Sequence, residues 1–463
     1  MVTGMKIPSY VKGHFTKLTR GHNLLLKGEP SSELTEVSVS SCALQPGNFV
    51  AMSPIPKVVV NEGDEVLAGQ EIFFDKKRPE IKYVSPVSGE IAAINRGEKR
   101  SISEIIILAD KEQKFKTLPK VDLNSISRED LVKFLLESGG WSMIRQRPYD
   151  IVAEADVIPD NIFISTFDTG PLAPDAAMVI KGQEKAFQAG IDLLARLTNG
   201  KVHLGLDANG KSAPSTAFTE ATNAEKHWFK GPHPAGNVGI QIHHINPIGN
   251  KDQVWVLGVQ ETITLGKLIT EQKFDVTRII ALGGESLRTP RHVKTILGAK
   301  LADLLADQDV HDSDRVISGD VLSGSAKDSE SFLNYYDDQV TVIPEGKEYE
   351  LFGWLLPWKL RPSVSPTFRG SYFKDIHFSV NTNTHGEGRA FVVTGQYEDL
   401  LPMNIYPQHL MKAIITKDFE RMEGLGIREL SEEDVALCEF ACTSKQPLQQ
   451  ILRSGLELMR EQG

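Results

Sequence analysis

Between residues 20 and 112 the chain is interrupted every few residues by turn formers, and that density decides its local fold class. Asn61-Glu-Gly-Asp64, Ala68-Gly69, Ser85-Pro-Val-Ser-Gly89 and Asn95-Arg-Gly97 separate short apolar runs. Glycine admits the positive φ of tight turns, and proline removes a backbone donor, so a long helix does not fit between them. Short strands that turn this often predict a small sandwich or barrel. A polar stretch, Asp110 to Arg128, reads as a linker.

Beyond it the periodicity changes. Glu129–Glu137 and Glu184–Leu197 place apolar residues at helical spacing. Strand-sized apolar runs accompany them at Asn161-Ile-Phe-Ile-Ser165, Val202-His-Leu204 and Val254-Trp-Val-Leu257. Strands alternating with helices predict an open parallel α/β sheet. Short strands return at Arg278–Gly284 and Arg315–Gly319, with helix-like spacing over Val293–Leu305. Residues 331–395 are rich in aromatics, Pro and turns, and no element is assigned there. From Pro407 the chain reads helical, ending in an amphipathic stretch, Pro447–Arg460.

A length of 463 residues predicts several domains, roughly three or four. With 51 Lys+Arg against 61 Asp+Glu the net charge is -10, and no basic stripe exists to displace counterions. No nucleic-acid partner is expected. The best apolar runs, Glu104–Leu108 and Val254–Leu257, fall far short of the ~20 residues of a spanning helix. The N-terminus lacks the apolar core of a signal peptide. Its basic residues Lys6, Lys12, His14, Lys17 and Arg20 are expected to form a solvated tail, the alternative being a dock onto acidic lipid or a partner. Three cysteines, Cys42, Cys438 and Cys442, argue for a reducing compartment and against a disulfide scaffold.

Gly205-Leu-Asp-Ala-Asn-Gly210-Lys211-Ser212 fits the P-loop pattern letter for letter. In that reading backbone N–H groups cradle phosphates, Lys211 reaches the outer ones and Ser212 holds magnesium. The alternative function is therefore a stand-alone P-loop nucleotide-binding protein. Against it, Ala213-Pro-Ser-Thr-Ala217 opens a helix poorly, Asp207 sets a carboxylate beside the phosphates, and Asp168 is only a loose partner acid. A turn at a strand end is the better account. His243-His244 would point to opposite faces of a strand, which makes them poor co-ligands. Cys438 and Cys442 share a helix face, but a closed metal site needs four ligands, so packing is expected there.

Residues 58–94 resemble the lipoyl/biotinyl carrier domain, a barrel-sandwich of two curled sheets. The likeness rests on Val58-Val-Val-Asn-Glu-Gly-Asp-Glu-Val-Leu-Ala-Gly-Gln-Glu-Ile72, a lysine-containing hairpin, and Ser85-Pro-Val-Ser-Gly-Glu-Ile91. The hairpin tip, Phe74-Asp-Lys-Lys-Arg-Pro-Glu-Ile81, lacks the methionines of a biotin site, reads longer than a lipoyl tip and contains Pro79. A carrier-like fold without the modification is expected.

Nearly the whole chain resembles one family, the A subunit of the sodium-translocating NADH:quinone reductase. The matching strings are Lys76-Lys-Arg-Pro79, Ile94-Asn-Arg-Gly-Glu-Lys-Arg100, Phe167-Asp-Thr-Gly-Pro-Leu-Ala173, Gly231-Pro-His-Pro-Ala-Gly236, Arg315-Val-Ile-Ser-Gly319, Leu351-Phe-Gly-Trp354 and Asp434-Val-Ala-Leu-Cys438. The layout is more distantly similar to the C subunit of the Rnf complex and the NADH/flavin subunit of respiratory complex I. The resemblance implies a multidomain α/β and α+β chain. Its parts would be a lipoyl-like barrel-sandwich domain with an N-terminal extension (1–112), a Rossmann-like α/β domain (113–272) and a small β-grasp-like domain (273–345). An irregular connecting segment (346–395) and a ferredoxin-like helical domain without clusters (396–463) would follow.

In those distant relatives a Gly-rich loop after the first α/β helix lets backbone amides approach a flavin phosphate. The matching stretch here, Ser138-Gly-Gly-Trp-Ser-Met-Ile-Arg-Gln-Arg-Pro-Tyr149, carries bulky Trp141, Met143, Ile144 and Arg145. Ferredoxin-type cysteine runs are likewise missing: Val393–Pro402 has none, and Cys438 and Cys442 cannot supply the four thiolates of a cluster. The implied role is a peripheral, cofactor-free subunit on the cytoplasmic face of the bacterial inner membrane. Flavin, 2Fe-2S and NADH would sit on other subunits of the complex. Its partners would be subunits B to F, mainly a membrane subunit. Ubiquinone or menaquinone would be the substrate of the complex. Trp141, Arg145, Phe167 and His233 are the candidate quinone contacts, and no catalytic or metal-ligating residue is expected.

Overall fold

The structure is a computed structural model that describes residues 7–348, 350, 352, 360–373 and 375–462. Lys6 and most of the Leu351–Trp354 string lie outside the described residues. Two strands, β1 (His14–Lys17) and β2 (Ser31–Glu36), come first and are used by sheets that the chain builds later. The turn-rich region then forms β3 (Ser41–Leu44), β4 (Lys57–Val58), β5 (Glu65–Val66), β6 (Glu71–Asp75), β7 (Arg78–Val84), β8 (Gly89–Arg96) and β9 (Ile102–Ala109). They make a four-stranded sheet, β3-β9-β8-β5, and a three-stranded one, β4-β6-β7. Alternation along the strands buries Ile72, Ile81, Tyr83, Ile91, Ile105 and Ile107 between them. The hairpin tip is shorter than the sequence suggests. Only Lys76 and Lys77 connect β6 to β7, and Pro79 lies within β7.

The α/β region contains α1 (Arg128–Ser138), β10 (Arg145–Arg147), β11 (Ile151–Val152), β12 (Asn161–Ser165), α2 (Ala176–Ile180), α3 (Glu184–Ala195), β13 (Val202–Asp207), α4 (Thr216–Thr219), β14 (Glu225–Lys230), α5 (Val238–Ile245), β15 (Val254–Leu257) and α6 (Val259–Thr270). Their sheet runs β1-β14-β13-β12-β15-β10-β11, parallel except for β10, which runs antiparallel to both of its neighbours, β15 and β11. The basic N-terminal stretch is therefore not a free tail. His14–Lys17 pairs with His227–Lys230 as an edge strand, and the Trp228 indole N–H donates to Lys12 O at 2.9 Å. His243 and His244 lie in the last turn of α5, not on a strand as expected.

On one face α3 and α6 approach until backbones touch, because both carry glycine at the crossing. A Cβ on Gly266 would sit 1.7 Å from Ala186 O, and one on Gly190 would sit 2.1 Å from Thr262 O. Gly266→Ala is expected to force the helices apart and cost about 1–3 kcal/mol; urea unfolding of the variant measures it.

A third sheet is built from β16 (Thr277–Gly283), β17 (Arg291–Ile296), β18 (Asp314–Ser318), β19 (Ser325–Lys327) and β20 (Gln339–Pro344), with β2 on its edge beside β17. The helical spacing over Val293–Leu305 resolves differently from its reading. Its first part is β17, Gly298 turns the chain at φ +70°, and only the short α7 (Leu301–Leu304) is helical. The last region packs α8 (Gln396–Leu400), α9 (Pro407–Ile415), α10 (Phe419–Gly424), α11 (Glu432–Ala441) and α12 (Leu448–Gln462) around Leu410, Met422, Val435, Leu452 and Leu456. Among the described residues no helix is long and apolar enough to cross a membrane.

Candidate functional site

An open α/β sheet binds ligands beyond the carboxyl ends of its strands, where the strand order reverses. The chain steps from β12 outward to β13 and β14, then returns to β12's other side as β15. The crevice therefore lies between the ends of β12 and β15.

The β15 side is filled with side chains. Gly139 ends α1 at φ +81°, and its missing Cβ leaves room for Val84 of β7, whose Cγ2 would be 2.2 Å away. The next turn packs Trp141, Met143 and Ile144 with no exposed surface. Trp141 meets Trp255 of β15 edge-on at 5.3 Å, and its N–H donates to Ala153 O at 2.7 Å. The Ser142 hydroxyl lies 2.7 Å from Tyr335 Oη, while Ser142 O accepts from the Tyr336 hydroxyl at 2.7 Å. In the first turn of α6, Glu261 pairs at 2.7 Å with the buried Arg278. A helix start that would hold a phosphate through free N–H groups thus carries a carboxylate already committed to an arginine. Burial pushes the Tyr335 hydroxyl up to about 12. Burial, reinforced by Glu261 and opposed by Arg278, pushes Asp338 up to about 7. These residues do not fit a flavin phosphate.

The β12 side is polar and tight. Asp168 accepts from Gly170 N at 2.7 Å, and the Thr169 hydroxyl accepts from Gly236 N at 2.9 Å. That hydroxyl also lies 3.2 Å from His233 Nδ1. His233 is 6% exposed, and its Nε2 has no hydrogen-bond partner. Burial lowers the affinity of its imidazole for a proton, with Asp168 opposing. Phe167 stands beside this cluster, half-buried against the helical region.

The four expected quinone contacts stand in different surroundings. Phe167 and His233 share the β12 end. Trp141 is enclosed across the crevice. Arg145, on β10, pairs with Asp150 at 3.0 Å and lies 5.3 Å from the centre of the Tyr336 ring.

The P-loop string has no phosphate-binding geometry. Gly205 lies inside β13, where a Cβ would run into Gln241 Oε1 at 1.8 Å. Lys211 and Ser212 are exposed, and the next helix, α4, starts only at Thr216. Cys438 and Cys442 are buried and free, as packing predicts, but they also bond. The Tyr397 hydroxyl donates to Cys442 Sγ at 2.8 Å, and the Cys438 thiol points at Tyr397 O at 3.7 Å. His243 Nδ1 lies 2.7 Å from Glu429 Oε2, and His244 Nε2 donates to Pro402 O at 2.8 Å. Two open grooves lie away from the crevice. One of about 570 Å³ runs between the barrel-sandwich and α12, lined by Phe49, Met52, Ile102, Glu432 and Arg453. Another of about 290 Å³ is lined by Gln146, Tyr149, Arg428 and Arg460.

Sequence reasoning missed the junction between sheet and helical region. Arg147 on β10 is fully buried and donates to Asp434 at 2.8 Å, to the Ser431 hydroxyl at 2.7 Å and to Glu433 at 2.7 Å. Ser431 and Asp434 form the capping box that opens α11. The capping pattern was visible in the sequence, but nothing there pointed to an arginine nearly three hundred residues away.

Models of known families match three stretches: residues 16–110 as the NqrA N-terminal barrel-sandwich hybrid domain, 126–274 as the NqrA second alpha/beta domain, and 279–328 as the NQRA C-terminal domain. The A subunit of the Na(+)-translocating NADH-quinone reductase of Neisseria meningitidis serogroup B is 38% identical over 451 residues, covering 96% of this chain and all of that one. Proteins of the same name from Saccharophagus degradans and Klebsiella pneumoniae match at the same identity and coverage. An NAD+-reducing [NiFe]-hydrogenase overlaps 73% of this chain and 64% of its own at a TM-score of 0.37 and 12% identity, too loosely to carry any argument. With full-length identity at this level and three consecutive domain matches, the chain belongs to the NqrA family, the A subunits of the Na(+)-translocating NADH-quinone reductases.

Proposed function

We propose that this chain is the peripheral, cofactor-free subunit of a sodium-pumping NADH:quinone oxidoreductase. It supports electron transfer from NADH to ubiquinone or menaquinone coupled to sodium export. Flavin, 2Fe-2S and NADH belong to other subunits in this reading. Its partners are subunits B to F, chiefly a membrane subunit, on the cytoplasmic face of the bacterial inner membrane. The relatives' shared name supports the complex. The observation that carries the cofactor-free role is the crevice packed by Trp141, Met143 and the Glu261–Arg278 pair. In finer terms the α/β region is Rossmann-like, the third sheet β-grasp-like and the helical end ferredoxin-like without clusters.

Phe167 and His233 are the proposed quinone contacts; the buried His233 Nε2 has no hydrogen-bond partner within the chain. Trp141 and Arg145, expected beside them, are occupied by packing and by Asp150. Exposed apolar side chains recur along the 372–415 stretch: Tyr372 and Phe373, Val392 and Val393, Tyr406 and Ile415. They are the proposed docking contacts with a membrane subunit. Cross-linking mass spectrometry on native membranes should place this stretch against a membrane subunit. Tyr372→Asp with Val393→Asp should release the chain into the soluble fraction while its circular dichroism stays native. Unchanged membrane retention would oppose the docking surface.

A further inference from the structure

At the amino-terminal ends of the central strands, opposite the crevice, three metal-ligating side chains meet. We propose that His203, His227 and Glu225 bind a divalent cation of the zinc class, with one coordination position left to water. The sheet register brings them together. His203 and Glu225 are register partners on adjacent parallel strands β13 and β14, and Glu225 and His227, two residues apart, share one face.

The three ligand atoms lie within 4.8 Å of one another. His203 Nδ1 is 3.0 Å from His227 Nε2 and 3.8 Å from Glu225 Oε2. Around tetrahedral zinc, with bonds of about 2.0–2.2 Å, ligand atoms stand about 3.3–3.5 Å apart. The observed spacings bracket that value.

The surroundings hold the ligands in place. His203 is 6% exposed, stacked on Phe163 at 4.8 Å, and its Nε2 lies 3.1 Å from Asn161 Oδ1. Oδ1 can only accept, so Nε2 carries the proton and Nδ1 presents a lone pair towards His227. A carboxamide or carboxylate behind a ligating imidazole fixes its tautomer in this way. His227 is 8% exposed and stacks on His14 at 5.1 Å. Without a cation, the proton on His227 Nε2 bridges the two rings. With one bound, that proton moves to His227 Nδ1, and both rings ligate as neutral imidazoles. Burial already disfavours protonation of both rings. Glu225 is 40% exposed at its side chain and pairs with Lys201 through Oε1, which leaves Oε2 to the cation. Two imidazoles and one carboxylate suit zinc-class cations better than magnesium or calcium, which prefer all-oxygen shells.

Isothermal titration of the untagged, chelator-treated full chain with zinc chloride tests this. One equivalent should bind, magnesium should not compete, and cobalt(II) should give the visible bands of a tetrahedral site. Glu225→Gln, at a partly exposed position that leaves the core intact, should weaken zinc at least tenfold. Asn161→Ala should weaken it about 10–100-fold, and His203→Gln should abolish the site. Absence of a one-equivalent event in the wild-type chain, or zinc affinity unchanged in both Glu225→Gln and His203→Gln, would overturn the proposal.

Discussion

Arg147→Ala is expected to destabilise the chain by about 3–5 kcal/mol, the usual cost of removing one partner from a buried ion pair. Arg147 and Asp434 both have fully buried side chains, and the arginine bridges β10 to the first turn of α11. Without it the Asp434 carboxylate has lost its counter-charge. It keeps only the Ser431 N–H at 2.9 Å and the Ser431 hydroxyl at 3.1 Å. The neighbouring ion pairs compensate little, because each serves another group: Arg453 holds Glu432 at 2.6 Å, and Arg145 holds Asp150. The damage should be local first. Limited proteolysis of Arg147→Ala should release the region after residue 395 before the sheet is cut, whereas the wild type resists throughout. Arg147→Met paired with Asp434→Leu should recover much of the loss, since an apolar pair carries no stranded charge. The same cluster sets an acid limit. Burial alone would raise Asp150, but Arg145, Arg147 and Arg453 outweigh it and hold the carboxyl below its ordinary range. A depressed acid contributes stability above its unfolded value of about 3.9 and loses it as pH falls through the folded value. Wild-type stability should therefore fall below about pH 4, and less steeply in Asp150→Asn.

Trp141→Ala should cost about 3–5 kcal/mol, the range for truncating a large aromatic in a rigid core. Trp141 is fully enclosed, meets Trp255 edge-on and donates to Ala153 O, so the substitution loses packing and orphans a carbonyl. The walls cannot collapse easily, because Gly139 and Gly140 already stand against Val84 and Leu268. Thermal unfolding followed by calorimetry measures the loss. Trp141→Phe should recover more than half of it. Trp141→Ala should still not bind flavin, because a cavity alone supplies no row of free backbone N–H groups.

Much of the fold was legible where one local rule acted alone. Asn161–Ser165 and Val254–Leu257 are continuous apolar runs between helical stretches, and both are strands over those residues. The helix at Glu184 starts where its periodicity starts. Legibility failed where long-range pairing decides. His-Phe-Thr-Lys at 14–17 has no strand pattern of its own and becomes β1 only because β14 offers an edge. Val293, Leu297, Leu301 and Leu305 sit four apart like a helix face, yet Gly298 breaks the run into a strand and a short helix. His243 and His244 follow a Gly- and Pro-rich string that hides the eight-residue α5. At the crevice, bulky Trp141 in a glycine-demanding path announced the filling, whereas Glu261, Arg278, Tyr335 and Tyr336 come from three separated segments that only the fold unites. The His203–Glu225–His227 group was hidden for the same reason, since its members come from two strands that only the sheet register sets side by side.

The most direct test is the flavin content of the purified full-length chain after incubation with flavin mononucleotide and desalting. A crevice occupied by Trp141, Met143 and the Glu261–Arg278 pair leaves no seat for the isoalloxazine or its phosphate, so the chain should elute with no stoichiometric flavin. One tightly held flavin per chain would contradict it.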